Sequence, residues 1–216
     1  MWLSTIASNI NFPAPLAVLG FLAAIGGIFL AGASILVFWF ARKPRFVRMA
    51  GIAAASGAVV YLSLLLGFSA ASRTLILAHG QEKYFCEIDC HLAYTVMDVK
   101  SQLSADSNDY VVTLRTRFDE NTTSSHRPKD APLMPSPREV RVIDSAGRQY
   151  VPVTSAGTSL MTPLKPGDFY TTDLEFKIPK DARELRLLLN TVPAWPDHLV
   201  IGDENSFLHK KTYFAL

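Results

Sequence analysis

Residues 16–40 read LAVLGFLAAIGGIFLAGASILVFWF, and not one of these 25 positions is charged. A helix of that length extends roughly 37 Å at 1.5 Å per residue, enough to cross hydrocarbon of about 30 Å with some tilt. In lipid the backbone must satisfy its own hydrogen bonds, which makes such a run a helix. A second uncharged run follows from Met49 to Ala71. Between them lies Ala41-Arg42-Lys43-Pro44-Arg45-Phe46-Val47-Arg48, with four cations and no anion. The positive-inside rule places this loop in the cytoplasm and both chain termini outside. A cleaved signal peptide fits the first run poorly, because no basic n-region precedes it and the run is too long for an h-region. A soluble core pair fits poorly too, since both runs are uncharged on every face.

The expected organisation follows from these marks. Residues 1–15 form an outer segment, 16–40 the first span, 41–48 a cytoplasmic loop and 49–72 the second span. Residues 73–83 read as a linker and 84–216 as an extracytoplasmic domain. A bacterial inner membrane with a periplasmic domain is the simplest setting, and the lipid bilayer is the first partner. Trp2, Trp39 and Phe40 fall near the expected interfaces, where amphipathic rings settle. Neither span holds an Asp, Glu, Lys, Arg or His, which argues against an ion or proton path and for an anchor. Small residues recur at four-residue spacing: Ala23, Gly27 and Ala31 in the first span, and Ala50, Ala54, Ala58 or Ala53, Gly57 in the second. Such stripes suit close packing of the two helices on each other, or against another membrane protein.

Over the whole chain 21 basic side chains face 19 acidic ones, with no dense basic stripe that would suggest a nucleic-acid partner. Phosphate-loop, dinucleotide, zinc-protease and Gly-x-Ser-x-Gly motifs are absent, and the five histidines fall at no recognised triad spacing. A non-enzymatic protein is the expectation.

Beyond Arg73 the pattern changes to short alternating runs. His91–Val99, Asp109–Phe118, Tyr170–Ile178 and Glu184–Leu189 read as strands, with a last one from about Phe207 to Leu216. Glu139–Ile143 and Gln149–Val153 flank Asp144-Ser145-Ala146-Gly147-Arg148, a hairpin with glycine available for positive φ. Pro179-Lys180-Asp181-Ala182 marks another turn. Residues 121–137, with four prolines, read as a long surface loop. The sum predicts an all-β sandwich behind a membrane helical hairpin.

Gly147-Arg148-Gln149-Tyr150, Pro166-Gly167-Asp168-Phe169-Tyr170 and Leu174-Glu175-Phe176-Lys177-Ile178-Pro179 resemble bacterial extracellular immunoglobulin-like domains. The likeness spans roughly residues 92–189, and such domains are commonly tethered to a membrane. It implies an immunoglobulin-like sandwich with an accessory role and brings no catalytic residue.

Both cysteines lie in Tyr84-Phe85-Cys86-Glu87-Ile88-Asp89-Cys90-His91. In a regular strand, positions four apart are separated by roughly 13 Å, so only a turn brings the two sulfurs together. In an oxidising outer compartment a Cys86–Cys90 disulfide is one reading. Copper or zinc held by Cys86, Cys90 and His91 is another, with Glu87 and Asp89 behind. A haem-attachment variant with His91 as axial ligand, or a catalytic dithiol, would depart from the usual two-residue spacing. The two-helix-plus-sandwich order also resembles subunit II of cytochrome oxidase, whose copper loop runs Cys-x-x-x-Cys, then His four residues on and Met three further. Cys86, Cys90 and Met97 match that spacing, but Tyr94 stands at the histidine position and the motif precedes the predicted strands. In immunoglobulin-like sandwiches part of the first strand often pairs parallel with the last. That geometry would bring Cys86, Cys90, His91, Glu204 and His209 together at the membrane-proximal end.

Overall fold

The computed structural model describes residues 14–85, 91–103, 107–123, 128 and 130–216. Two long helices, α1 (Ala14–Phe40) and α2 (Pro44–Ala71), are joined by a tight turn. The turn is built from backbone bonds: Lys43 N donates to Phe38 O at 2.9 Å and Arg42 N to Trp39 O at 3.0 Å. This crossed pair caps the α1 carbonyls and requires a left-handed residue between them. Arg42, with φ of 55°, takes that position. Pro44 then opens α2, where its missing N–H is no loss. Both helices are long and apolar enough to cross a membrane. Leu19, Phe29, Leu30, Val37, Ile52, Val59 and Val60 are each more than half exposed.

Among the described residues the β-domain holds ten strands. They are β1 (Leu75–Leu77), β2 (Glu82–Phe85), β3 (Leu92–Leu103), β4 (Ser107–Phe118), β5 (Arg138–Ile143), β6 (Gln149–Tyr150), β7 (Thr154–Gly157), β8 (Phe169–Pro179), β9 (Arg186–Thr191) and β10 (Thr212–Ala215). They form two five-stranded sheets, ordered β1-β10-β9-β5-β6 and β2-β3-β4-β8-β7. The alternation expected in β4 and β8 is present: Val112, Leu114, Thr116 and Phe118 turn inward, as do Thr172, Leu174, Phe176 and Ile178. Side chains two apart share a sheet face, so these sets meet Tyr94, Leu187, Leu189 and Phe214 in one core. The Asp144–Arg148 hairpin also forms, with Gly147 at φ of 78° and Asp144 Oδ1 accepting from Ala146 N and Arg148 N.

Several elements differ from expectation. β1 lies inside the stretch read as linker and pairs parallel with β10, Leu75 opposite Thr212. β2 starts there too. The last strand is shorter than expected, because only Thr212–Ala215 enters the sheet. The chain divides into two compact units: Thr74–Val192 with Lys211–Leu216 makes the sandwich, and Pro193–Lys210 belongs with the helices. Within that second unit Tyr61 Oη donates to Leu199 O at 2.6 Å, and Lys210 N donates to Ser72 Oγ at 2.8 Å.

Candidate functional site around the cysteine connection

The β2–β3 pair frames the segment that carries both cysteines. Phe85 stands opposite Leu92 and Tyr84 opposite Ala93. Cys86, Glu87, Asp89 and Cys90 themselves lie outside the described residues. His91 is described and buried. Its ring stacks on Phe118 with centroids 5.3 Å apart, and its carbonyl accepts from Asp119 N at 2.8 Å. His91 Nδ1 lies 2.5 Å from Thr122 Oγ1, and that hydroxyl gives its proton to Asp119 O at 2.7 Å. The proton of the His91–Thr122 bond therefore comes from Nδ1, which leaves the lone pair on Nε2.

On the outer face of β2, β3 and β4 a charged cluster supports this frame. Arg117 grips Glu82 with two bonds, Nε to Oε1 at 3.0 Å and Nη2 to Oε2 at 2.8 Å, and Arg115 lies 3.5 Å from the same carboxylate. The Tyr84 hydroxyl sits 2.7 Å from Asp119 Oδ2 and 2.9 Å from Glu82 Oε2. Asp119 Oδ1 accepts from Asn121 N and caps the 3-10 turn Glu120–Thr122. Burial alone would raise the Glu82 carboxyl, but the Arg117 and Tyr84 bonds and the two guanidinium charges bring it below the usual range. Burial likewise opposes the Asp119 carboxylate, and the bonds from Tyr84, Asn121 and Arg117 outweigh it. Burial first, and then the two carboxylates, push the Tyr84 phenol up.

The inner face at the same end is polar as well, which the sequence did not reveal. Lys83 is buried between the sheets, donating to Leu189 O at 2.7 Å and Thr212 O at 3.2 Å. Its ammonium is 5.1 Å from the centre of the Phe85 ring, and the Arg138 guanidinium is 4.4 Å from that ring. Arg138 Nε donates to Tyr94 Oη at 3.0 Å. Burial chiefly pushes the nearby Tyr170 phenol up to about 12. Phe85, the residue before Cys86, is thus held by two cations, each able to add on the order of 1–2 kcal/mol when desolvated. Lys83 falls in the stretch that reads as a linker, and the structure places it in β2.

Glu204 and His209 belong to the helix-bearing unit rather than to the sandwich. His209 is buried, with Nδ1 2.9 Å from Lys210 O, while Glu204 is partly exposed. Among the described residues, no three His, Cys, Asp or Glu side chains form a group that could hold a metal ion.

The small-residue stripes have an outcome of their own. Ala23, Gly27, Ala31, Ala54, Gly57 and Ala58 line a groove of about 560 Å³ between the helices. A Cβ added at Gly27 or Gly57 would meet nothing within 4 Å, so neither glycine marks a close backbone crossing inside the pair.

These features define a chain in which two long apolar helices precede a two-sheet β-sandwich. No protein-family model and no curated protein matches it. Among solved structures it is similar to MPT63, a secreted protein from Mycobacterium tuberculosis, at 10% identity and a TM-score of 0.43. That match covers 68% of this chain and 100% of MPT63, a likeness too distant to bear on function.

Proposed function

We propose that this chain is a membrane-anchored, non-enzymatic module that holds an immunoglobulin-like sandwich on the outer face of a bacterial inner membrane. There it serves binding or assembly, with Cys86 and Cys90 joined as a bracing disulfide. The observation that carries the reading is the exposure of two long apolar helices, 25 and 28 residues, whose only charges are Arg45 and Arg48 at the start of the second, ahead of a separately cored sandwich. Water would not tolerate that surface, whereas hydrocarbon requires it. The parallel pairing of β1 with β10 supports the immunoglobulin-like assignment. Phe85 and Leu92 are cross-strand partners, so the chain leaves and re-enters the sheet within about 5 Å. So tight a closure suits two cysteines four positions apart in an oxidising compartment.

A copper- or zinc-binding role for Cys86, Cys90 and His91 is the second reading. It is favoured by the sequence itself, which places two thiols and an imidazole within the six positions 86–91.

Two measurements test these readings. Alkaline phosphatase fused after Leu216 should be active in intact cells; activity only with a cytosolic reporter would overturn the orientation. The intact mass of the purified protein should rise by two hydrogens on reduction. An unchanged mass with bound copper or zinc would move the assignment to the metal reading.

A further inference from the structure

Between β9 and β10 the chain leaves the sandwich and returns to the helices, and where it touches them is informative. Leu199 meets Tyr61, while Lys210 meets Ser72 at the end of α2. Tyr61 precedes Ser72 by eleven positions, or roughly 16 Å along a helix axis. The segment therefore runs down the flank of α2 rather than only resting on its end.

The cations of α2 fix how deep that is. Arg45 and Arg48 lie in its first two turns and mark the inner boundary. About 20 residues cross roughly 30 Å of hydrocarbon, so counting from Pro44 or from Arg48 puts the outer boundary near residue 64 or 68. Tyr61 then sits roughly 4 to 10 Å inside it. Interfacial segments bury their apolar faces to about that depth, 5–10 Å.

Residues 195–208 have the composition and bonding for such a place. Trp195, Phe207 and Leu208 are at least half exposed in the folded chain. The backbone of the segment is largely self-bonded. Asp197 N donates to Ala194 O, Val200 N to Asp197 O, Ser206 N to Asp203 O and Phe207 N to His198 O. Two of its acidic side chains cap backbone amides: Asp197 Oδ2 accepts from Ala194 N and Asp203 Oδ1 from Asn205 N, each at 2.7 Å. Leu199 also lines the outer part of the groove between the helices.

We infer that residues 195–208 form an interfacial hook, which lays Trp195, Phe207 and Leu208 into the outer leaflet beside α2. The occupant of this surface is lipid, and the inference rests on the membrane-anchor reading above. Amphipathic rings favour that depth because they join an apolar body to a polar edge.

The full chain, reconstituted into phosphatidylcholine vesicles with acyl chains brominated at shallow or deep positions, tests this. Trp2→Phe with Trp39→Phe leaves Trp195 as the sole tryptophan, and Trp2→Phe with Trp195→Phe leaves Trp39. Trp39 and Trp195 are well exposed, so the exchanges at these two positions leave packing intact. Trp195 emission should fall about twofold with shallow bromines, less with deep ones, and resist aqueous iodide. Quenching of Trp195 by iodide but not by brominated lipid, with Trp39 still quenched by lipid, overturns the hook alone. If brominated lipid quenches neither tryptophan, the anchor reading falls and takes the hook with it.

Discussion

The helix pair and the sandwich solve the same problem in opposite directions. In the sandwich, Phe118, Phe176 and Phe214 are fully buried in a largely apolar core. In the helices, Phe29 and Phe40 are at least three-quarters exposed and no charge lies between Leu16 and Phe40. One unit hides its apolar area from water by folding on itself, and the other leaves its apolar area on the outside of two helices long enough to cross a membrane. What stabilises a residue therefore depends on the unit it belongs to.

Substitutions of the same kind in both units give the largest contrast. Phe176→Ala should cost about 3–5 kcal/mol in urea unfolding of the detergent-solubilised protein, through lost burial and a cavity. Phe29→Ala should leave the same transition within about 0.5 kcal/mol, because no protein neighbour loses contact. Equal losses would erase the distinction between the units.

A smaller effect is expected at the polar end of the sandwich. Lys83→Met keeps the stem but removes the donor to Leu189 O and Thr212 O, so about 1–3 kcal/mol of stability should be lost in the same assay. A neutral result would mean that water replaces the ammonium there.

The outer cluster should show itself through pH. Glu82 and Asp119 are held below the usual carboxylate range in the fold, so the unfolded chain binds their protons at higher pH. Their stabilisation is complete above about pH 4–5 and is lost as pH falls through the folded values. Arg117→Met should shift acid unfolding of the sandwich to higher pH, followed by the β-sheet signal in far-UV circular dichroism. An unchanged acid limb would show that the cluster is only a solvated face.

The mildest change is predicted in the helix groove. Gly57→Ala adds a Cβ with open space around it, so the monomer's stability should be unchanged or slightly raised. Loss of a co-purifying membrane partner in that variant would show that the groove takes a helix from another protein.

The uncharged runs, the alternation of β4 and β8, and the Asp144–Arg148 turn could be read directly from the chain. Each is local, and its pattern is set by one periodicity or one turn geometry. β1 and β2 could not, since Leu75–Leu77 is three residues long and Lys83 breaks the apolar face it belongs to. Phe207–Lys210 reads as the start of a strand because nothing local records that it belongs with the helices. The bond between Tyr61 and Leu199 joins residues 138 positions apart. At the candidate site the cysteines and His91 stood out by their types. The cations around Phe85 did not, because Arg138 reaches it from the opposite sheet.

The excursion of Pro193–Lys210 has a consequence for release of the β-domain. A protease that cut between Arg73 and Leu75 would sever the obvious tether and still release nothing. The sandwich would remain attached through both ends of that excursion, itself held on α2 by Tyr61 and Ser72. Freeing the domain therefore takes three cuts in the backbone, or one cut and a dissociation of the excursion from α2.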